Sequence, residues 1–201
     1  MLMLGISTSS KFPSAAVSDG EKILSFVNDT APGKSHSEAL MGLIDRAISE
    51  AGADKRALDA IAVDIGPGSF TGVRIGVSCA NAMALAFGIP VIPVCSLAAM
   101  SRAASDRGIK AIIVDCRNGN CYAAVYEDGS EKLAPCAAVT RDILSGLPEG
   151  CAVMGDAPEC GTRLFPDAGL VLMEAQKNAS PVSEAVPMYL RPSQAERMKT
   201  K

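Results

Sequence analysis

Short apolar stretches separated by turn residues open the chain and predict three strands. They cover residues 2–8, 14–19 and 22–28, and Asp19-Gly20, between the last two, is typical of a tight hairpin. We therefore expect the chain to begin with an antiparallel part of a sheet.

The next segment has apolar residues at helical spacing. From His36 to Ala51 they recur every three or four positions, and Ser35 with Glu38 has the pattern of a capping box. The pattern then predicts a strand, a helix, a strand and a helix in turn. These elements are expected at residues 60–66, 73–87, 91–94 and 96–108.

The order of these elements constrains how they pack. Crossovers between parallel strands are right-handed, so the helices at 36–51 and 73–87 are expected on the same face of one mixed sheet. The helix at 96–108 is free to leave that face.

Near residue 110 the three-strand pattern begins again, and a short helix and another strand follow it. We therefore predict an α/β protein with two lobes, each a mixed sheet with helices, the second lobe abbreviated. The lobes are expected at residues 1–108 and 109–201, with a polar tail at 194–201. The predicted elements of the second lobe are strands at 110–117, 120–128, 130–140 and 151–156 and a helix at 140–146.

Composition narrows the function classes. A chain of 201 residues with 48% hydrophobic residues can bury a core, and its net charge of −3 argues against gripping nucleic acid through its own surface. Seven cysteines form no CxxC pair, and the start of the chain lacks a secretory signal, which predicts reduced thiols in a cytoplasm. The longest apolar run is broken by Pro90 and Pro93, so no membrane span is expected.

A glycine-rich loop, GPGSFTGVRIG at residues 66–76, lies between a predicted strand and a predicted helix. Ligands of open α/β sheets collect at such strand ends, and helix N-termini favour anions. The spacing fits neither a Walker loop nor a dinucleotide fingerprint, so an anion site and a rigid turn capped by Thr71 both stay open. The residues concerned are Gly66, Pro67, Gly68, Ser69, Phe70, Thr71, Gly72 and Arg74.

This loop resembles the signature of the TsaB (YeaZ) family, which belongs to the actin-like ATPase superfamily and is needed for threonylcarbamoyladenosine in tRNA. Three further segments are similar to that family in the same order. They are SHSEAL at 35–40, VIPVCSLAAM at 91–100 and PMYLRPSQAE at 187–196. The resemblance therefore runs from residue 2 to about residue 196.

The resemblance implies two ribonuclease-H-like lobes and a non-catalytic subunit without a metal or cofactor of its own. Its implied partner is a TsaD-like catalytic subunit, which it activates, and a TsaE-like ATPase joins through the assembled complex. Contact with tRNA is implied only through the complex. For the chain alone, the resemblance implies a homodimer. Ser7 departs from the family pattern, which has an acidic residue there, so a metal or phosphate role for that position is in doubt.

The residues themselves offer little for catalysis. His36 is the only histidine, so neither a paired-histidine metal site nor a hydrolytic triad can be built, which also disfavours a glycopeptidase. We expect His36 to be a capping or surface residue. Asp64 and Asp115 lie at the ends of apolar strands. They could serve as magnesium ligands or as strand-end hydrogen-bond acceptors. The alternative function is an actin-like small-molecule kinase or ATPase that uses the GPGSFTG loop for phosphate.

The helix predicted at 73–87 is apolar on most sides and so needs cover on most sides. The spacing of its small residues would let another helix approach closely. Either a partner protein covers it, together with helix 36–51, or a segment of the second lobe does. The residues assigned to a partner interface are Leu40, Ile44, Gly76, Ala80, Met83, Ala84 and Phe87.

Overall fold

The computed structural model describes residues 1–29, 35–105, 107–178 and 180–191, and these form two five-stranded sheets. The first sheet contains β1 (Met3–Ser7), β2 (Ser14–Ser18), β3 (Ile23–Asn28), β4 (Ala60–Asp64) and β5 (Val91–Val94). The second contains β6 (Ile109–Asp115), β7 (Asn120–Glu127), β8 (Ser130–Val139), β9 (Ala152–Gly155) and β10 (Thr162–Arg163). The helices are α1 (His36–Glu50), α2 (Phe70–Phe87), α3 (Ser96–Ser101), α4 (Thr140–Ser145) and α5 (Ala168–Lys177).

The two sheets have the same topology. The first has the order β3-β2-β1-β4-β5, and the second repeats it as β8-β7-β6-β9-β10. In both, the central strand pairs antiparallel with the next strand and parallel with the fourth, as β1 does with β2 and β4. The α/β fold of two lobes predicted from the sequence is confirmed, and the second lobe is the poorer in helices.

Both faces of the first sheet are covered. Leu4 and Ile6 of β1 pack with α1 and α2, whereas Met3 packs with α5 and α3 on the other face. Helices α1 and α2 therefore share a face, as right-handed crossovers require. α3 also packs on the second sheet through Leu97 and Met100, so one helix serves both lobes.

Helix α5 was not anticipated from the sequence. It follows the second sheet in the chain but packs on the first. The two approach closely at Gly5 of β1, where an added Cβ would lie 2.7 Å from the carbonyl oxygen of Ala168. Asp167 caps it through the backbone N–H of Leu170. The first lobe thus contains residues from both the early and the late part of the chain. The predicted boundary at residue 108 separates α5 from the sheet on which it packs.

Two helix ends differ from expectation. α2 begins three residues earlier than predicted, and its N-cap is Ser69, whose hydroxyl accepts the N–H of Gly72, so the assignment of Thr71 as the cap is wrong. α3 ends at Ser101 rather than continuing to residue 108. The capping box of Ser35 and Glu38 at the start of α1 is confirmed. The predicted tail at 194–201 lies outside the described residues.

α2 meets the criteria of length and composition for a membrane-spanning helix. A buried helix of a folded domain meets the same criteria, and α2 packs on β1 and β4 with six residues inside the core. Core packing therefore accounts for the apolar residues on the buried side of α2, about a third of the helix, and leaves further apolar residues such as Leu85 on its exposed side.

The start of α2 lies unusually close to the end of β1. A Cβ added at Gly72 would lie 2.0 Å from the carbonyl oxygen of Thr8, and one at Gly76 would lie 2.3 Å from the Thr8 hydroxyl oxygen. The Thr8 hydroxyl donates to the carbonyl of Gly72. Gly72 thus allows a close approach to the backbone of Thr8 and Gly76 a close approach to its side chain, whereas positive φ is seen in this loop at Gly66.

Replacing Gly72 with alanine should therefore destabilise the protein by about 2 kcal/mol or more, because the backbone at Thr8 must move. Gly42, in the exposed face of α1, is the matched control, since an added Cβ there meets nothing within 4 Å. Gly42→Ala should stabilise by roughly 0.5–1 kcal/mol. Thermal unfolding of both variants checks this, and equal stability for the two would contradict the packing described.

Candidate functional site

A buried carboxylate lies at the end of β4, directly before the glycine-rich loop. One oxygen of Asp64 accepts the hydroxyls of Ser7 at 2.8 Å and Ser9 at 2.5 Å. The other accepts the hydroxyl of Ser96 at 2.5 Å and the N–H of Gly66 at 2.9 Å. Burial raises the pKa of Asp64, and the four donors oppose that rise.

This arrangement explains the departure at position 7. An acidic residue there would place a second carboxylate beside Asp64 inside the protein, where like charges repel strongly. Ser7 instead donates a hydrogen bond. Asp64 is fully buried with all four contacts made inside the chain, so it acts as a strand-end acceptor that fastens β1, the loop and α3 together.

A cavity of about 490 Å³ lies between the lobes. From the first lobe it is lined by the β1–β2 turn, by His36 and by two loop residues, Gly68 and Ser69. From the second it is lined by the β6–β7 turn and by Asp156. The cleft thus lies beside the carboxyl ends of β1 and β6, where ligands of open α/β sheets bind.

Charges of both signs face this cleft. The cations Lys11, Arg117 and Arg191 line it together with the acids Asp115 and Asp156. Both acids already bond within the chain: Asp115 accepts the N–H of Arg117, and Asp156 accepts the N–H of Asp115. Burial raises the pKa of Asp156. The arrangement suits a small anion better than a metal cation.

Other groups in the cleft are poorly suited to catalysis. Burial raises the pKa of the Cys116 thiol to about 11, so it is protonated at neutral pH and is a weak nucleophile. The ring Nε2 of His36 lies 2.7 Å from the carbonyl oxygen of Ser10, to which it donates. In the described ranges, no group of three His, Cys, Asp or Glu side chains is placed to hold a metal ion.

The glycine-rich loop divides between the cleft and the outer surface. Within GPGSFTG, three N–H groups are used inside the chain: that of Gly66 by a carboxylate oxygen of Asp64, that of Ser69 by the carbonyl of Ser9 and that of Gly72 by the Ser69 hydroxyl. Arg74 lies away from the cleft, with its guanidinium over the Phe70 ring and its Nε donating to the Tyr189 hydroxyl at 2.6 Å. Geometry therefore favours the rigid turn for most of the loop and leaves Gly68 and Ser69 facing the cleft.

The segment 180–191 runs along α2 and covers one side of it. Val182 forms a bridge with Val91, and the side chain of Asn81 bonds both the N–H and the carbonyl of Ala185. The ring of Tyr189 stacks on Phe70 at 4.8 Å. Part of the cover that α2 needs thus comes from a later part of this chain, which was one of the two alternatives open from the sequence.

The structure corrects the residues assigned to a partner interface. Five of the seven are buried inside this chain, against the first sheet and between α1 and α2, so they cannot contact a partner in this fold. The small residues face β1, as the contacts of Gly76 with Thr8 show. Met83 and Phe87 keep partial exposure. The five buried residues are Leu40, Ile44, Gly76, Ala80 and Ala84.

An apolar surface nevertheless remains on these two helices, and we call it the α1–α2 face. Leu85 is 86% exposed and Met41 is 51% exposed, which is unusual for large apolar side chains. Small residues between them would let a helix approach. The α1–α2 face comprises Met41, Ile75, Cys79, Ala82, Met83, Leu85 and Ala86, all exposed or half-buried.

Known proteins with similar sequences and structures identify the family of this chain. A family model described as "TsaD: tRNA N6-adenosine threonylcarbamoyltransferase" matches residues 29–157. An uncharacterized protein of Mycobacterium tuberculosis H37Rv is 34% identical over 169 residues, covering 81% of this chain and 78% of that protein. The crystal structure of a Pseudomonas aeruginosa protein, described as similar to peptidase YEAZ, has a TM-score of 0.80 at 25% identity and covers 94% of this chain and 99% of that one.

A relative with a named role matches a shorter stretch. The tRNA threonylcarbamoyladenosine biosynthesis protein TsaB of Haemophilus influenzae is 36% identical over 107 residues, covering 53% of this chain and 44% of that protein. The chain thus spans less than half of that relative, and likewise 46% of an uncharacterized protein of Mycobacterium leprae. On the family model, the M. tuberculosis relative and the P. aeruginosa structure together, the chain belongs to the threonylcarbamoyltransferase-related family that contains the TsaB (YeaZ) proteins.

Proposed function

We propose that this chain is a non-catalytic subunit in the biosynthesis of threonylcarbamoyladenosine in tRNA. The name of the H. influenzae relative supports a role in threonylcarbamoyladenosine biosynthesis. The observation that carries the non-catalytic role is the sealed carboxylate: Asp64 gives all its contacts to Ser7, Ser9, Ser96 and the loop backbone. An acid used so leaves no ligand for a nucleotide's magnesium at this position.

The proposed task is to bind and activate a TsaD-like catalytic subunit through the α1–α2 face. Exposed apolar side chains such as Leu85 and Met41 would be buried there, with Ala82 and Ala86 allowing a partner helix close. A TsaE-like ATPase would join through the assembled complex, and tRNA would be reached only through it, since the net charge of −3 disfavours binding by this chain alone. The proposed compartment is the cytoplasm.

In the absence of its partner, the same face would pair with a second copy as a homodimer. One apolar face serves one partner at a time, so the homodimer and the complex with the TsaD-like subunit would exclude each other. Light scattering of the chain alone and after mixing with the TsaD-like subunit tests this. We expect a dimer alone and a mixed complex without that dimer after mixing. A chain that stays monomeric and does not bind the TsaD-like subunit would contradict the proposal.

A second candidate, a small-molecule kinase or ATPase, draws on one observation: Lys11, Arg117 and Arg191 line the interlobe cleft beside Gly68 and Ser69. A turnover assay with the purified chain separates the two. The proposal predicts no ATP hydrolysis. Hydrolysis that persists through purification and disappears in a folded Lys11→Ala variant, with Lys132→Ala as a control on the outer edge strand, would favour the enzyme.

A further inference from the structure

Three sulfur atoms meet on the α1–α2 face. The Cys79 thiol lies 3.7 Å from the Met41 sulfur and 3.9 Å from the Met83 sulfur. Cys79 and Met83 are four residues apart on α2, and so project from the same side of the helix, while Met41 comes from α1. Two elements of the core thus hold three potential metal ligands together at the surface.

We propose that Met41, Cys79 and Met83 form a binding site for a monovalent soft metal ion, Cu(I) or its analogue Ag(I). One thiolate and two thioethers are the ligands that select Cu(I), whereas Zn²⁺ and Mg²⁺ prefer sites richer in imidazole, charged thiolate or oxygen. On binding, the thiol of Cys79 releases its proton to solvent as the metal–sulfur bond forms, and the metal keeps its oxidation state.

The two sulfur–sulfur distances from Cys79 match those of a trigonal site. With metal–sulfur bonds of roughly 2.3 Å, the length known for zinc thiolates, three sulfurs around a central ion are roughly 4.0 Å apart. The two distances from Cys79, 3.7 and 3.9 Å, come close to this value without any rearrangement. Met41 is 51% exposed, so an ion has a path from solvent. Met41 and Met83 belong to helices that pack on the core, so the backbone positions of the ligands are fixed while the methionine side chains can adjust to an ion.

The simpler interpretation is that flexible methionines only pack around a cysteine. An anaerobic competition titration distinguishes the two, with Cu(I) supplied as its coloured bathocuproine disulfonate complex to the full chain under reducing conditions. We expect Cys79→Ser to remove one tightly bound equivalent of Cu(I), and Met41→Leu or Met83→Leu to weaken that equivalent by about tenfold or more. X-ray absorption should show three sulfur neighbours.

Matched controls separate this site from the other six cysteines. Cys151→Ser and Met173→Leu change half-buried or exposed sulfurs elsewhere and should leave the equivalent intact. Each variant is first shown to melt like the parent. If Cys79→Ser binds as many equivalents as the parent, or if both leucine variants keep the parent's affinity, the site assignment is wrong.

A consequence for assembly rests on the proposed function. A metal ion at Cys79 would lie within the surface proposed for the TsaD-like subunit, so ion and partner should weaken each other's binding by the same factor. Titrating the mixed complex with Ag(I) tests it, with Cys79→Ser as the insensitive control. A complex of the parent that is unaffected by bound Ag(I) would overturn the coupling while leaving both the metal site and the proposed function standing.

Discussion

Ala82→Arg should leave the protein folded and weaken its binding to a TsaD-like subunit by about a hundredfold or more. Ala82 is exposed at the centre of the α1–α2 face, so the new side chain meets solvent in the free chain. In the complex, the charge would be buried without a partner in a close contact, at a cost of roughly 3 kcal/mol. Binding measured by calorimetry or light scattering gives the result directly, and the same change should abolish the homodimer.

Two arginine variants serve as controls for this one. Ala80→Arg changes a neighbouring position that is fully buried against the first sheet, and it should prevent folding rather than report on an interface. Met173→Arg introduces the same charge at a 42% exposed position on α5 and should bind like the parent. Parental affinity of Ala82→Arg for the TsaD-like subunit would show that the partner binds elsewhere.

Asp64→Ala should reduce the free energy of unfolding by about 3 kcal/mol or more. The change leaves three serine hydroxyls and the Gly66 N–H without their acceptor in a buried place, and each such group is costly. Asp45→Ala, on the exposed face of α1, is the control and should change the free energy of unfolding by less than about 0.5 kcal/mol. Denaturant unfolding of the two decides whether the sealed carboxylate has the structural role assigned to it.

The pH dependence of the same position has a defined sign. Burial raises the pKa of Asp64 in the folded state, so folding favours its neutral form. The stability gained in this way is present below the unfolded pKa of 3.8 and is lost as pH rises through the folded value. The difference in stability between the parent and Asp64→Asn should therefore be largest in acid. A difference that grows toward neutral pH would mean that the four donors outweigh burial.

Much of the fold was predictable because the chain alternates its patterns clearly. Capping residues, the hairpin signals and the switch between strand and helix spacing gave nearly all the elements up to residue 156 in the right order. Handedness then placed α1 and α2 on one face. The repeat of the three-strand start near residue 110 correctly indicated a second sheet of the same kind.

Helix α5 was missed although local signals exist. Asp167 is an acceptable cap, and Leu170 to Met173 are apolar, but four consecutive apolar residues show no helical periodicity. α5 buries two sides, because it lies between the first sheet and α3. The spacing of apolar residues along the sequence does not reveal such long-range packing. The same limit applies to Ser69, whose capping role depends on the close approach of β1.

The interface residues were misassigned for a related reason. Small residues at Gly76, Ala80 and Ala84 indicate a close helix contact correctly, but the sequence does not say with what. The contact is with the chain's own first strand and core. The exposed residues Ala82, Leu85 and Ala86 lie on the opposite side of α2, because the side with the small residues already packs on the sheet.

Reconstituted threonylcarbamoyl transfer to tRNA distinguishes a required partner subunit from an enzyme. The reaction would contain the TsaD-like and TsaE-like proteins, activated threonylcarbamoyl donor and ATP, with this chain added, omitted or replaced by Ala82→Arg. At protein concentrations near the parent's dissociation constant, we expect modified adenosine with the parent chain, and equally with Met173→Arg as a further arm, but strongly reduced modification with Ala82→Arg and none above background without the chain. Modification at the full rate without the chain would contradict the role of a required partner.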